Sequence, residues 1–556
     1  MPAGEGLGDL VFTLRESYNK LMRKALGRFF DGKNSYSAAS VILVITLFLS
    51  NVLGLLRDHF LTQKIPTDIL STYYAAFRIP DLLFNVLILG AISSAFIPVF
   101  SGLVNQNQKK VAWQVANSVI NIAILALIVF SLILGLLMPY LAPLFVPGFD
   151  QEKLSLTVQL ARLMLISPIF FGLSYIFGAI LNSSKRFLVY SLAPLIYNLA
   201  IILGTLLLAP RIGILGVALS VVIGAFLHMA IQIPVVSRLG FRWQMVLFWQ
   251  NASVRKIGIL MFPRAIGLGA NQILLLVFTG IASVLGGSAI AVYNLADNIQ
   301  TMPMVVFGTS FALAIFPTLS EKAAREDWQG FSFDFTKTLR SILFFMVPIV
   351  LGLILLRAQI VRMILGSGHF GWEQTIDTAN TLGFFAAALV FTSVIPLFSR
   401  AFYALHNTKI PMAVTCLTVV ISIAAGKILA SSMGIEGLAL AYSLGSFFNA
   451  VVLYFLLRKK IKLDEWSLVW FCLKVGLAAF LMAVALQEVK FLAAIFVDMT
   501  RFWGVFVQTF VAIIVSLVIY LLLSWIFNLE EVVSAKIILR RLLGRSVVQE
   551  EQEPGR

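Results

Sequence analysis

Four ionisable residues sit where so apolar a chain should exclude them. They are Arg57 and Asp58 in SNVLGLLRDHF, Arg78 in YYAAFRIPDLL and Arg264 in LMFPRAIGLGANQI. A charged side chain at the centre of a bilayer costs about 2.5–3.5 kcal/mol or more. Such residues therefore face a packed interior or a water-filled cavity, and mark a path for substrate or ions. Arg78 lies about nine residues, roughly 14 Å, from the outer end of its apolar stretch, which is close to mid-depth. A second polar run, YNLADNIQTMP, places Asn294, Asp297, Asn298 and Gln300 ahead of Pro303. What these residues offer is electrostatic chemistry, the holding of a polar or charged solute inside an apolar layer. Structural roles compete with that one. Arg57 near an interface would snorkel to headgroups, Arg78 and Asp81 would neutralise one another across Pro80, and Arg264 would bridge to Asp297. Lys474 reads as a snorkelling lysine.

Nothing in the chain suggests bond-making chemistry. There is no Gly-rich phosphate cradle, no paired Asp-rich motif and no His/Asp arrangement at useful spacing. The four histidines are scattered, so no metal site is expected. Cys416 and Cys472 both fall in apolar stretches far apart and suggest neither a disulfide framework nor metal ligation. Moving a substrate fits these residues better than transforming one.

The elements that must position them are membrane spans. Hydrophobic residues make up 60% of the 556 and charged residues 12%, about half the charged share of a soluble domain. Apolar windows of about 20 residues, enough to cross a ~30 Å hydrocarbon layer, recur along the whole length. Breaks at charged, Gly- and Pro-containing loops give fourteen candidate spans, from 37–62 and 69–100 through to 466–486 and 503–527. The net charge of +16 is carried mostly by short loops, such as Lys109–Lys110, Lys185–Arg186 and the cluster Arg458, Lys459, Lys460 and Lys462. That is the positive-inside pattern, with both termini cytoplasmic, rather than a nucleic-acid footprint. Residues 1–36 read as an amphipathic helix on the cytoplasmic membrane surface.

The chain also resembles itself. AFIPVFS (95–101) matches AIFPTLS (314–320), LNSSKRF (181–187) matches LHNTKIP (405–411), and GILGVALSVVIGAF (213–226) matches GIEGLALAYSLGSF (434–447). Three matches in one order, at offsets of 219, 224 and 221, point to two copies of a six-span unit. An even number of spans gives the copies the same orientation, as parallel repeats. The expected fold is an all-α polytopic membrane protein of about 14 transmembrane helices. An N-lobe over 37–237 and a C-lobe over 255–460 would enclose a central cavity. Two C-terminal helices over 466–527 and a cytoplasmic tail over 528–556 would follow.

Four segments in order, NVLGLLRDHF, AAFRIPDLL, GAISSAFIPVFS and RAFYALHNTKIPM, resemble the MurJ lipid II flippases of the multidrug/oligosaccharidyl-lipid/polysaccharide exporter superfamily. The resemblance runs from about residue 37 to 460. It implies two lobes rocking around a cationic cavity, and a groove between spans 13 and 14 for a polyprenyl tail. The implied cargo is lipid II, the undecaprenyl-pyrophosphate-linked disaccharide-pentapeptide of peptidoglycan synthesis, carried across the bacterial cytoplasmic membrane. Its pyrophosphate needs opposing charge to cross a low-dielectric layer, and the arginine fork suits it. By family match, Arg57, Asp58 and Arg78 are the substrate-binding residues.

Elsewhere the chain departs from the family pattern. Asn51 stands where the family often has a base, Phe84 and Asn85 replace an arginine pair, and Asn298 replaces an arginine in span 8. Asn51, Asn85 and Asn298 could hydrogen-bond sugar or phosphate, and Arg264 would restore one charge. No cofactor is expected. Coupling to membrane potential or an ion gradient remains open, because spans 7 and 11 hold no carboxylate for a cation. The alternatives are export of another polyprenyl-linked glycan, a non-transporting scaffold for cell-wall enzymes, and a drug/cation antiporter using Asp297. Expected partners are the glycolipid, membrane lipids and peptidoglycan-synthesis proteins, with no nucleic acid.

Overall fold

The computed structural model describes residues 36–89 and 96–532, without the side chains of 36–44, 89, 260–264 and 266–267. The amphipathic segment expected over 1–36 and most of the 528–556 tail lie outside the described residues. Backbone polar groups in hydrocarbon must be satisfied within their own segment. Accordingly, all regular structure among the described residues is helical. Eleven helical stretches among them are long and apolar enough to cross a membrane, so the protein is a multi-pass membrane protein.

The chain divides into two compact units, Met1–Val284 and Leu285–Arg556. In the first, α1 (Tyr36–Lys64) packs along α7 (Phe187–Leu207). The next helix, α2 (Thr67–Phe84), carries Pro80 and runs into a π-helical turn, Asn85–Leu89. Then come α3 (Ile97–Asn105), the long α4 (Lys109–Phe145), α5 (Gln151–Met164) and α6 (Ser167–Ser183). After α7 follow a single turn α8 (Ala209–Ile212), α9 (Ile214–Ala230), α10 (Ile233–Arg238) and α11 (Ala252–Val284).

The boundary at 284 falls one helix later than the 237/255 break expected from the repeat. The reason is that α11 packs against α2, α4 and the π-helical turn. It is also tied to the α4–α5 loop, where the Gly148 amide donates to Ser283 Oγ at 3.1 Å.

The second unit contains α12 (Ala289–Pro303), again followed by a π-helical turn, Met304–Thr309, and then α13 (Ser310–Ala324). Next are α14 (Trp328–Leu355), α15 (Arg357–Leu365), α16 (Trp372–Ala404), α17 (Lys409–Met433) and α18 (Ile435–Arg458). Its core is rich in phenylalanine, with Phe331, Phe335 and Phe402 fully buried. The last helices, α19 (Glu465–Phe496) and α20 (Phe502–Ile526), pack on one another and are sewn to α14. Tyr520 donates to the Phe344 carbonyl at 2.7 Å. Arg340 Nη2 donates to the Ser467 carbonyl at 3.1 Å and lies over the Phe471 ring. Lys474, read from sequence as snorkelling, donates instead to the Phe527 carbonyl at the end of α20.

Local backbone details recur between the units. The π-helical turns begin at Asn85 and Met304, 219 residues apart. Left-handed residues recur as Asn107 and Glu326, Lys185 and His406, and Gly213 and Gly434. At the last pair φ is 60° and 62°, with ψ near −140°, a region open essentially to glycine alone. Three residues on, Gly216 and Gly437 each seat against the backbone of the preceding helix, at Leu208 and Leu429, where a Cβ would clash. Small residues of this kind let membrane helices approach closely.

One segment of the first unit has no regular structure, the strap from Phe241 to Asn251 that joins α10 to α11. Five of its peptide N–H and C=O groups are met by side chains of α4. Asn117 accepts from the Gln244 amide at 2.9 Å and donates to the Arg242 carbonyl at 3.1 Å. Asn121 donates to the carbonyls of Gln244 and Val246, and accepts from Trp243 Nε1 at 2.9 Å. Ser118 Oγ accepts from the Phe248 amide at 3.2 Å. Asn251 then starts α11 by accepting from the Ser253 amide.

Candidate functional site

The site residues expected from sequence fall mainly in the first unit. Arg57 and Asp58 lie near the end of α1, where the helix meets α7. The guanidinium donates through Nε and Nη2 to Asp58 Oδ1, at 3.1 and 2.9 Å. Its Nη1 donates to Asn198 Oδ1 on α7 at 3.3 Å. Asn198 is held in turn by donating to the carbonyls of Ser50 and Pro194. Asp58 is 1% exposed, while the Arg57 side chain keeps 20% of its surface open. Three tyrosines, Tyr73, Tyr74 and Tyr197, lie within electrostatic reach of Arg57. The result is an oriented cation with one accessible edge. Snorkelling does not describe it, because three of its five N–H donors are bound within the protein.

Arg78 is buried on α2, two residues before Pro80. Its Nε donates to Thr279 Oγ1 at 2.7 Å, and that hydroxyl donates to the Leu275 carbonyl one turn back on α11. Asp81 lies within electrostatic reach of Arg78, so partial neutralisation along α2 is part of the site. One turn on, the helix widens into the π-helical turn, a local feature that often marks functional positions. There Asn85 Nδ2 donates to the Asp81 carbonyl at 2.8 Å. Phe84, standing where the family pattern has an arginine, packs its ring on Phe171 and Tyr175 at 5.6 and 5.0 Å. Asn51 donates to the Leu47 carbonyl of its own helix. In both asparagines the amide nitrogen serves the backbone, which leaves the side-chain oxygen as the group able to meet a solute.

Asn298 lies in the second unit, half-buried on α12. Its neighbour Asp297 accepts from Gln300 Nε2 at 2.8 Å, and Asn294 donates to the Ile290 carbonyl. The backbone of Arg264 is on α11, and its side chain lies outside the described residues, as does any bridge from it to Asp297.

Sequence reasoning missed Asn198 and Thr279, the partners that orient the two arginines. It also missed a polar pin between α6 and α9. Ser174 Oγ lies 2.6 Å from His228 Nδ1, and Gln232 Nε2 donates to the same oxygen at 2.5 Å. All three side chains are buried, and Phe171 and Tyr175 flank the imidazole. Among the described residues no group of three or more His, Cys, Asp or Glu could hold a metal ion.

Known proteins similar to this chain are transporters. A family model described as lipid II flippase MurJ matches residues 66–507. The chain is 28% identical over 457 residues to the probable lipid II flippase MurJ of Rickettsia prowazekii (strain Madrid E). That match covers 81% of this chain and 90% of the relative. It is 28% identical over 506 residues to the probable lipid II flippase MurJ of Haemophilus influenzae, covering 85% and 97%. Among solved structures, a lipid II flippase MurJ in an inward closed conformation shares the fold with a TM-score of 0.73. The identity is 23%, covering 91% of this chain and all of that one. An inward-facing multidrug resistance MATE family transporter matches the fold at a TM-score of 0.62 and 14% identity, covering 76% of this chain and 98% of that one.

Proposed function

The chain belongs to the MurJ family of lipid II flippases, and on that footing we propose that it carries lipid II across the bacterial cytoplasmic membrane. It is a transporter, not an enzyme. The observation that carries the cationic-site mechanism is the pair of pre-oriented guanidiniums, Arg57 on α1 and Arg78 on α2, each fixed by a partner on another helix. Rigid donors aimed before the cargo arrives keep the ordering cost of binding low. They offer the fork geometry that a pyrophosphate takes up.

In this reading fourteen spans form two parallel six-helix repeats plus α19 and α20, with both termini in the cytoplasm. The matched π-helical turns and left-handed residues support the duplication. The two repeats alternate access to the site, driven without ATP by the membrane potential or an ion gradient. α19 and α20 flank the path of the polyprenyl tail.

A second cargo, another polyprenyl-linked glycan, is favoured by one observation. Phe84 is packed against aromatic rings where the family pattern places a cation, so the anionic demand of the site is smaller. Complementation of a strain depleted of its lipid II flippase separates the two. Rescue by the wild-type chain, lost in Arg78→Ala at equal membrane abundance, supports lipid II. Failure of a well-expressed wild type favours the other glycan. Rescue by Arg57→Ala, Arg78→Ala and Arg264→Ala alike would remove the cationic-site mechanism.

A further inference from the structure

Between the π-helical turn Asn85–Leu89, α4, α6 and the first two turns of α11 lies a cavity of about 440 Å³. Leu87, Val119, Ile122 and Ile176 wall it, and Gly258 opens one side. The volume falls within the ~300–1,000 Å³ of small-ligand sites, yet among the described residues the only polar side chains at its lining are Arg255 and Trp249. An apolar chamber of this size gives water no partners and calls for hydrocarbon.

Its mouth has a different character. Arg255 and Lys256 are exposed on the first turns of α11, and among the described residues no carboxylate pairs with Arg255. The helix N-terminus adds a partial positive charge at the same place. Trp249 is 58% exposed and Trp243 on the same strap 61%, with Met245 and Phe248 beside them. Tryptophans of this kind mark the headgroup level of a bilayer. The clamp from Asn117, Ser118 and Asn121 fixes the strap, so the mouth is already formed before any ligand arrives.

We propose that this cavity is a lipid site, holding one acyl chain of an anionic glycerophospholipid whose phosphate rests on Arg255. Basic pockets between membrane helices recognise anionic headgroups in this way. The apolar chamber below selects a chain rather than a free phosphate. The site is separate from Arg57 and Arg78 and does not depend on which glycolipid the protein carries. Among the described residues it touches the path of α2 only through Leu87 and Ile88 of the π-helical turn.

The test uses the full chain in nanodiscs containing phosphatidylglycerol with a photoactivatable acyl chain. Labelled peptides are mapped by mass spectrometry. Labelling of the peptides holding residues 119–126 and 254–259 should be competed by excess unlabelled phosphatidylglycerol, and not by phosphatidylcholine of the same chains. Arg255→Gln should lower that headgroup preference about fivefold, the worth of one basic residue near an anionic surface. Gly258→Phe should remove label from both peptides while lipid-facing peptides elsewhere keep theirs. A Cβ at Gly258 meets no atom within 4 Å, and leaving glycine favours the helix, so this variant should fold. Ala123→Leu, on the opposite wall, provides an independent obstruction. Equal competition by phosphatidylcholine in the wild type, or full labelling in both obstructed variants, would overturn the proposal. Stronger labelling by a photoactivatable polyprenyl phosphate would assign the chamber to a cargo tail and overturn it too.

Discussion

Two stretches of the molecule share one local element, an α-helix running into a π-helical turn, and carry different chemistry. In the first unit α2 runs into a π-helical turn at Asn85, and in the second α12 runs into one at Met304. The first path holds Arg78 beside Asp81, with Thr279 fixing the guanidinium. The second holds Asn294, Asp297, Asn298 and Gln300, and no cation between Ala289 and Thr309. A π-helical turn serves as a backbone device in either setting, since it leaves carbonyls and amides imperfectly paired whatever side chains flank it. The lesson is that the path of the helix and the charge on it are set independently. Of these two stretches, only the one in the first unit carries a cation within its helix.

That difference can be broken or sharpened in several ways. Arg57→Ala should have the largest effect, because Asp58, at 1% exposure, loses the guanidinium that balances its charge. Leaving a buried charge without its partner costs about 3–5 kcal/mol, read as a large fall in the detergent melting temperature. Arg57→Ala combined with Asp58→Asn should recover much of the loss. An unchanged melt for the single variant would show that the pair is not structural.

Arg78→Ala should leave a folded protein and lower transport by at least ~30-fold, the equivalent of about 2 kcal/mol for removing a buried charge contact. The measure is growth of flippase-depleted cells together with vesicle-based translocation. Asn298→Arg, a cation on the second path, should not restore transport to Arg78→Ala. Restoration would collapse the distinction between the two paths.

Gly213→Ala and Gly434→Ala should each cost about 1–3 kcal/mol, because both force a side chain into backbone space open to glycine. Matching losses of thermal stability are expected, and a clear inequality would mean the two hairpins are held differently. Smallest of all, Tyr520→Phe removes the hydroxyl bond to the Phe344 carbonyl and should cost about 1 kcal/mol. Transport by that variant should stay near wild type.

Much of this architecture could be read in the sequence, because a bilayer imposes length, hydropathy and loop charge on each span. Arg57, Asp58 and Arg78 were readable for the same reason, since a charge in an apolar run stands out. Their partners were not. Asn198 and Thr279 are ordinary residues in their own helices, 141 and 201 positions from the arginines they hold, and no periodicity links them. The π-helical turns leave no compositional trace, since their residues would suit an α-helix equally. The placement of α11 with the first unit was not legible, because the internal sequence matches say nothing of which helices pack together. Nothing in the strap's own residues, 241–251, announces the clamp that α4 places on it.

That strap has a consequence for how substitutions are tolerated. Its peptide groups are read by Asn117, Ser118 and Asn121, so the instructions for its shape are stored in a helix more than a hundred residues upstream. Met245 and Leu247 can change freely as far as these hydrogen bonds are concerned, because α4 addresses the backbone of Arg242, Gln244, Val246 and Phe248. A change at Asn121 rewrites three bonds at once. A random mutational scan would therefore map the loop's vulnerability onto α4, and leave much of the loop itself silent.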